Sequence, residues 1–167
     1  VTFPEGVRTV NNSRHFLIGE LEKSLTRLGT DYVDIWQIHS WDPNVALEDT
    51  LSALDFAYTS GKARYVGISN FNGWQSSRAI SLQEANSAKA PIISMQNEFS
   101  LLARNVEEDV LDCAINLHRG FIAWSPLGRG ALTGKYRNGI PADSRAATPH
   151  FAPFIEPYLN ERSRRIV

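Results

Sequence analysis

Gly67-Ile68-Ser69-Asn70-Phe71 closes a short apolar strand on a hydroxyl and an amide, and the fold follows from how often that happens. His39 closes the apolar run 33–38 in the same way, Gln96 closes 92–95 and Ser125 closes 121–124. The runs begin about 27 to 32 residues apart, with a helix-like stretch between each pair. In a parallel (β/α) barrel the strand C-termini form the reaction face, so polar groups gathered there mark a site. One such residue is weak evidence; four in succession are strong.

Outward from these strands, periodicity places the helices. Phe16, Leu17, Leu21, Leu25 and Leu28 form an i, i+3/i+4 stripe that predicts a helix over 14–28, with Asn12 or Ser13 as cap and Gly29 as stop. Leu47, Leu51, Leu54 and Ala57 or Tyr58 predict a second over 46–60, closed by Gly61. Asn72 caps a third that runs to about Asn86, and Asn105 caps a fourth over 106–118. Strands are expected at 32–38, 62–68, 90–95 and 121–124, apolar on consecutive positions as suits strands covered on both faces. Alternation with short connections predicts parallel βαβ units. From 126 to 154 the pattern dissolves into a loop of Gly, Pro and basic residues, long enough to be a lid or ligand clamp. A last helix begins near Ile155, and the whole of 1–167 reads as one domain.

Bulk composition narrows the class. Hydrophobic residues make up 43% and charged residues 21%, ordinary for a globular protein. A formal net charge of −1 gives no reason to expect nucleic acid or an anionic membrane as partner. Cys113 is the single cysteine, so no internal disulfide framework exists, and a reducing, cytoplasmic location is the plain expectation. No run reaches the roughly 18 apolar residues of a membrane span. The only methionine is Met95; Val1-Thr2-Phe3-Pro4 reads as a strand exit, and 161–167 stops inside a helical pattern. Both ends look cut, so the expectation is about four βα units whose remainder belongs to the same polypeptide or whose open edges self-associate.

At this point the sequence resembles the aldo-keto reductases. The matching stretches are Leu25-Thr26-Arg27-Leu28-Gly29-Thr30-Asp31-Tyr32-Val33-Asp34 leading to Gln37-Ile38-His39, and Gly61-Lys62-Ala63-Arg64-Tyr65-Val66-Gly67-Ile68-Ser69-Asn70-Phe71. Gln96-Asn97-Glu98-Phe99-Ser100-Leu101-Leu102 follows, then Trp124-Ser125-Pro126-Leu127-Gly128-Arg129-Gly130 and Leu132-Thr133-Gly134-Lys135-Tyr136. The variant looks closer to the bacterial and potassium-channel β-subunit-like branch than to the mammalian steroid reductases. The resemblance implies an α/β (β/α)8 TIM-barrel fold, of which this chain holds strands four to seven. It implies NADP(H) as cofactor and an aldehyde or ketone as the small-molecule substrate. Of the family's catalytic Asp, Tyr, Lys and His, only the last has a counterpart, His39, so the 167 residues alone are expected to show negligible turnover.

Residue by residue, the implied chemistry stands beside a plain alternative. His39 would orient the substrate carbonyl, donating a hydrogen bond while neutral; the alternative is a satisfied histidine at a strand end. Ser69, Asn70 and Gln96 would hold the nicotinamide carboxamide, whose acceptor and two donors their groups match; turn and cap chemistry is the alternative. Trp124 would stack on the nicotinamide ring rather than serve only as core. Ser125, Pro126, Leu127, Gly128 and Lys135, with Arg145, would wrap pyrophosphate and ribose, glycine allowing close approach and the cations giving charge-assisted bonds. Trp41 would line the substrate pocket, Trp74 pack at a helix start and Cys113 lie in the core. No metal-ligand spacing links the histidines. Two other classes stay open: a nucleotide-sensing regulatory subunit with little turnover, and a phosphate-binding isomerase or lyase on a different barrel.

Overall fold

The computed structural model describes residues 9–85 and 89–167. The expected strand exit at 1–4 and the helix end at Asn86 lie outside the described residues. By its internal contacts the chain divides into two compact units, one running through Asn97 together with Glu108–Ile122, the other comprising Glu98–Glu107 and Ala123–Val167.

The first unit is built from βα repeats. Helix α1 (Arg14–Leu28) keeps the expected bounds, burying Leu17, Leu21 and Leu25 along one side. It stops at Gly29, whose φ of 67° puts it in the left-handed region that glycine enters without steric cost, and whose N–H donates back to the carbonyl of Thr26. Ser13 holds the cap position without a side-chain cap bond. Strand β1 (Val33–Ile38), helix α2 (Leu47–Thr59), strand β2 (Ala63–Ser69) and helix α3 (Gly73–Glu84) follow within a residue or two of expectation. Asn72 caps α3 as expected and does so reciprocally. Its side chain accepts from the Gln75 N–H, while the Gln75 side chain accepts from the Asn72 N–H.

Strands β1, β2, β3 (Ile92–Glu98) and β4 (Gly120–Trp124) lie in that order in one sheet, and the β1–β2 and β2–β3 pairs are parallel. This is a parallel α/β fold with four βα units, as read from the sequence. Val66, Ile68, Ile38, Ile92 and Met95 are almost fully buried with Leu21, Leu51 and Leu54. Each such side chain contributes about 1.5–3 kcal/mol relative to exposure. The opposite face is not uniformly covered: Ile35 and Tyr65, paired in register, are 42% and 49% exposed.

Two expectations fail for the same physical reason. Strand β3 continues through Gln96, Asn97 and Glu98 instead of ending at 95, because these polar residues find distant partners; the Asn97 amide donates to the carbonyl of Phe71. The helix over 106–118 is instead a 3-10 turn at Asn105–Glu107 followed by α4 (Val110–Asn116). Asp109 stands between them, and its carboxylate accepts from the Gly73 N–H at 2.7 Å, capping α3 rather than its own helix.

The second unit also corrects the sequence. The 126–154 stretch contains 3-10 segments at Gly128–Thr133 and Arg145–Ala147 and opens helix α5 (Ala152–Ile155). A 3-10 turn at Glu156–Tyr158 and helix α6 (Glu161–Ile166) replace the single helix expected from Ile155. These short pieces enclose a core of Ala131, Tyr136, Ala146 and Ile155, with Leu102, Phe151, Tyr158 and Leu159 against it. Among the described residues no helix is long and apolar enough to cross a membrane.

Candidate functional site

In the first unit the structure gathers four of the expected residues at the ends of adjacent strands. A hydrogen-bond chain joins them. The Asn70 amide donates to the His39 carbonyl at 2.7 Å and to the Ser69 hydroxyl at 3.1 Å, and that hydroxyl lies 2.9 Å from the Gln96 carbonyl. The Asn70 N–H donates to the same Gln96 carbonyl. Asn70 takes a φ of 54°, in the left-handed region that asparagine tolerates better than most residues. That backbone turn carries the amide across to the end of β1. Ser69 is buried, Asn70 and Gln96 are half-buried and the His39 side chain is exposed.

The turn beyond β1 is fixed from below. Asn12, just ahead of α1, donates from its N–H to the buried Asp42 carboxylate and from its side chain to the Ser40 carbonyl. Thr50 donates to the Asn12 carbonyl, tying α2 into the same knot. His39 therefore sits on a braced strand end. Trp41 is half-buried and meets Phe71 and Trp74 edge-on, at 5.2 and 5.5 Å between ring centroids. Trp74 stands in the first turn of α3, as expected, and packs edge-on against Trp41 while remaining 57% exposed.

The remaining expected residues lie in the second unit. Trp124 ends β4, and Ser125 then turns with a φ of 52°. The Gly128 N–H donates to the Ser125 carbonyl at 2.8 Å, and the Gly130 and Leu132 N–H groups donate to Leu127. Those three donors hold the loop itself. At Gly128 a methyl group would stand 2.9 Å from a Leu102 methyl, so a larger residue would push that side chain aside as well as strain a φ of 55°. Pro126 is exposed and Leu127 is 58% exposed. Lys135 and Arg145 are both exposed and rest on different rings: the ammonium lies 5.0 Å from the Tyr136 ring and the guanidinium 4.4 Å from that of Phe151. A cavity of about 280 Å³ in this unit is lined by Tyr136, Ile140, Tyr158 and Leu159 and by none of the expected residues.

Sequence reasoning passed over Arg129 and Glu98, which form the best-buried ion pair of this unit. Arg129 lay in view between two glycines, but its partner is 31 residues earlier and no local pattern announces it. Cys113 is half-buried on α4, and burial pushes its thiol above the ordinary value, reinforced by Asp109 and Asp112. Only the thiolate is nucleophilic. Iodoacetamide at pH 7.5 should therefore label Cys113 several-fold more slowly than a free small-molecule thiol; labelling at the free rate would refute the assignment.

Comparison with known proteins shows what the chain as a whole is similar to. The model of the "Aldo/keto reductase family" matches residues 3–165. The L-glyceraldehyde 3-phosphate reductase of Escherichia coli (strain K12) is 44% identical over 134 residues, covering 80% of this chain and 38% of the relative. A probable voltage-gated potassium channel subunit beta of Oryza sativa subsp. japonica is 36% identical over 157 residues, covering 93% of this chain and 45% of the relative. The crystal structure of a protein provisionally named 2,5-diketo-D-gluconic acid reductase B superposes with a TM-score of 0.63 at 30% identity, over 74% of this chain and 42% of that one. The chain thus spans less than half the length of these relatives.

Proposed function

Since the chain belongs to the aldo/keto reductase family, we propose that the full-length protein reduces an aldehyde or ketone with NADP(H) as hydride donor. The observation that carries this is the set of Asn70, Ser69 and Gln96 near the ends of β2 and β3, where the Ser69 hydroxyl accepts from the Asn70 amide, donates to the Gln96 main-chain carbonyl and lies 3.4 Å from the Gln96 side-chain oxygen. A hydroxyl and two carboxamides side by side offer both donors and acceptors, the inventory needed to hold a nicotinamide carboxamide in one orientation.

When bound, the nicotinamide supplies the hydride that reduces the carbonyl carbon. Ser69, Asn70 and Gln96 fix the ring's rotation through its amide. His39, exposed on a braced strand end, donates a hydrogen bond to the substrate oxygen and orients it. In the second unit, taken by itself, Trp124 offers a flat surface suited to stacking a nicotinamide, and Lys135 and Arg145 are exposed cations suited to phosphates. Trp41, edge-on to Phe71 and Trp74, forms part of an aromatic wall for the substrate. The proton donor and its two companions belong to the family's catalytic set outside these residues.

The match to a channel β subunit supports a second reading, in which the same clamp senses the nucleotide with little turnover. A titration of the full-length protein with NADPH and NADH, followed by nicotinamide fluorescence, tests both. Saturable binding that favours NADPH, with carbonyl reduction, is the expected result. Tight binding without turnover selects the sensor, and absence of dinucleotide affinity removes both readings.

A further inference from the structure

We propose that Arg129 is a positioning residue for the indole of Trp124, and that it presets the surface on which the nicotinamide stacks. This rests on the function proposed above and adds to it a residue which that reading leaves without a role.

Arg129 takes a φ of 54° and a ψ of 27°, and Gly128 and Gly130 on either side also have positive φ. A non-glycine residue enters that region at a cost. The whole turn is shaped so that the Arg129 side chain folds back toward the strand ends. There it forms a fork-to-fork pair with Glu98, Nε to Oε1 at 2.8 Å and Nη2 to Oε2 at 2.6 Å. The third donor, Nη1, goes to the carbonyl of Phe154. All three guanidinium nitrogens are thereby engaged.

Its flat face is engaged as well. The guanidinium carbon lies 3.6 Å from the Phe154 ring centroid, 4.8 Å from that of Tyr158 and 5.6 Å from that of Trp124. Phe154 runs nearly parallel to Trp124, at 14° and 6.4 Å between centroids. One planar cation therefore lies beside three rings, and the indole plane runs nearly parallel to one of the others, Phe154. The side chains of Arg129 and Glu98 are only 14% and 18% exposed. A desolvated ion pair adds little net stability over an apolar replacement, so geometry is the better account of this one. Lysine cannot reproduce it, because an ammonium offers neither parallel bonds nor a face to stack.

The test uses the full-length protein with Arg129→Met, Arg129→Lys and, as the marker for the indole signal, Trp124→Phe. In nucleotide-free protein, acrylamide quenching of the Trp124 emission should rise at least two-fold in Arg129→Met. The NADPH dissociation constant should rise at least ten-fold while the carbonyl KM stays within two-fold. Arg129→Lys should recover less than half of either change. Should Arg129→Met fail to fold, Glu98→Gln, which keeps the shape and removes the charge, is expected to move the same two quantities in the same direction. Quenching and NADPH affinity both within two-fold of the parent would overturn the proposal while leaving the reductase reading intact. A parent protein with no NADPH affinity would overturn that reading and this proposal with it.

Discussion

Gly67→Ala is expected to destabilise the protein by about 1–3 kcal/mol, the usual cost of forcing extra volume into a packed interior. Gly67 is buried in β2, paired with Gln37 on one side and Ser94 on the other, where the β2–β3 register shifts. A Cβ there would stand 3.0 Å from Cγ of Gln37 and 3.1 Å from the Ser94 carbonyl oxygen, and closer still to the Ser94 hydroxyl. Backbone cannot retreat without breaking the sheet. The hydroxyl offers a control, because Ser94 Oγ is buried and has no hydrogen-bond partner among the described residues. Ser94→Ala alone should be neutral or slightly stabilising, since it removes an unpaired polar atom. In the double variant it should relieve part of the Gly67→Ala penalty, giving a favourable coupling of about 0.5 kcal/mol or more in a double-mutant cycle. Urea denaturation of the four full-length proteins measures all of these. A Gly67→Ala variant as stable as its parent would show that the strands close around the methyl group freely.

What the sequence revealed and what it hid divide along the range of the interactions. Helix α1 was legible to the residue because Leu17, Leu21, Leu25 and the left-handed Gly29 are all local signals. The capping box of α3 was half legible: Asn72 announces itself, and Gln75 stands three residues on. The break before α4 was hidden because Asp109 spends its carboxylate on Gly73, 36 residues away. The extension of β3 was hidden for a similar reason. Gln96, Asn97 and Glu98 look like loop until the carbonyl of Phe71 and the fork of Arg129 are placed beside Asn97 and Glu98. In the 126–154 stretch the helical turns are only three to six residues long, too short for any period to show.

The same division runs through the candidate site. His39, Ser69, Asn70 and Gln96 could be singled out because each interrupts an apolar run at a strand end, and the structure joins them through one chain of hydrogen bonds. Ser125 was singled out by the same pattern and the 126–154 loop by its length, whereas the stacking role of Trp124 came from resemblance alone. The loop then gained a physical account that sequence lacked: its glycines serve its own turns and the packing of Leu102 before they serve any ligand.

Substitutions at Asn70 should separate backbone tolerance from ligand chemistry, and their effect on nucleotide binding should be large. The amide does two things at once: it bridges to the His39 carbonyl at 2.7 Å, and it belongs to the polar set proposed for the carboxamide. The backbone, at a φ of 54°, adds a constraint that alanine meets poorly and glycine meets without cost. Asn70→Ala should therefore lose about 1–2 kcal/mol of stability, combining strain with one missing hydrogen bond, whereas Asn70→Gly should lose noticeably less from strain. Asn70→Asp keeps the shape but faces the His39 carbonyl with an acceptor in place of a donor, so it should be the least stable of the three. NADPH affinity should not follow that order. If the side-chain amide is what recognises the carboxamide, all three variants should lose at least ten-fold in fluorescence titration, glycine included. If Asn70→Gly binds NADPH like the parent while Asn70→Ala does not, the residue serves the turn alone, and recognition of the nicotinamide would have to be reassigned to Ser69 and Gln96.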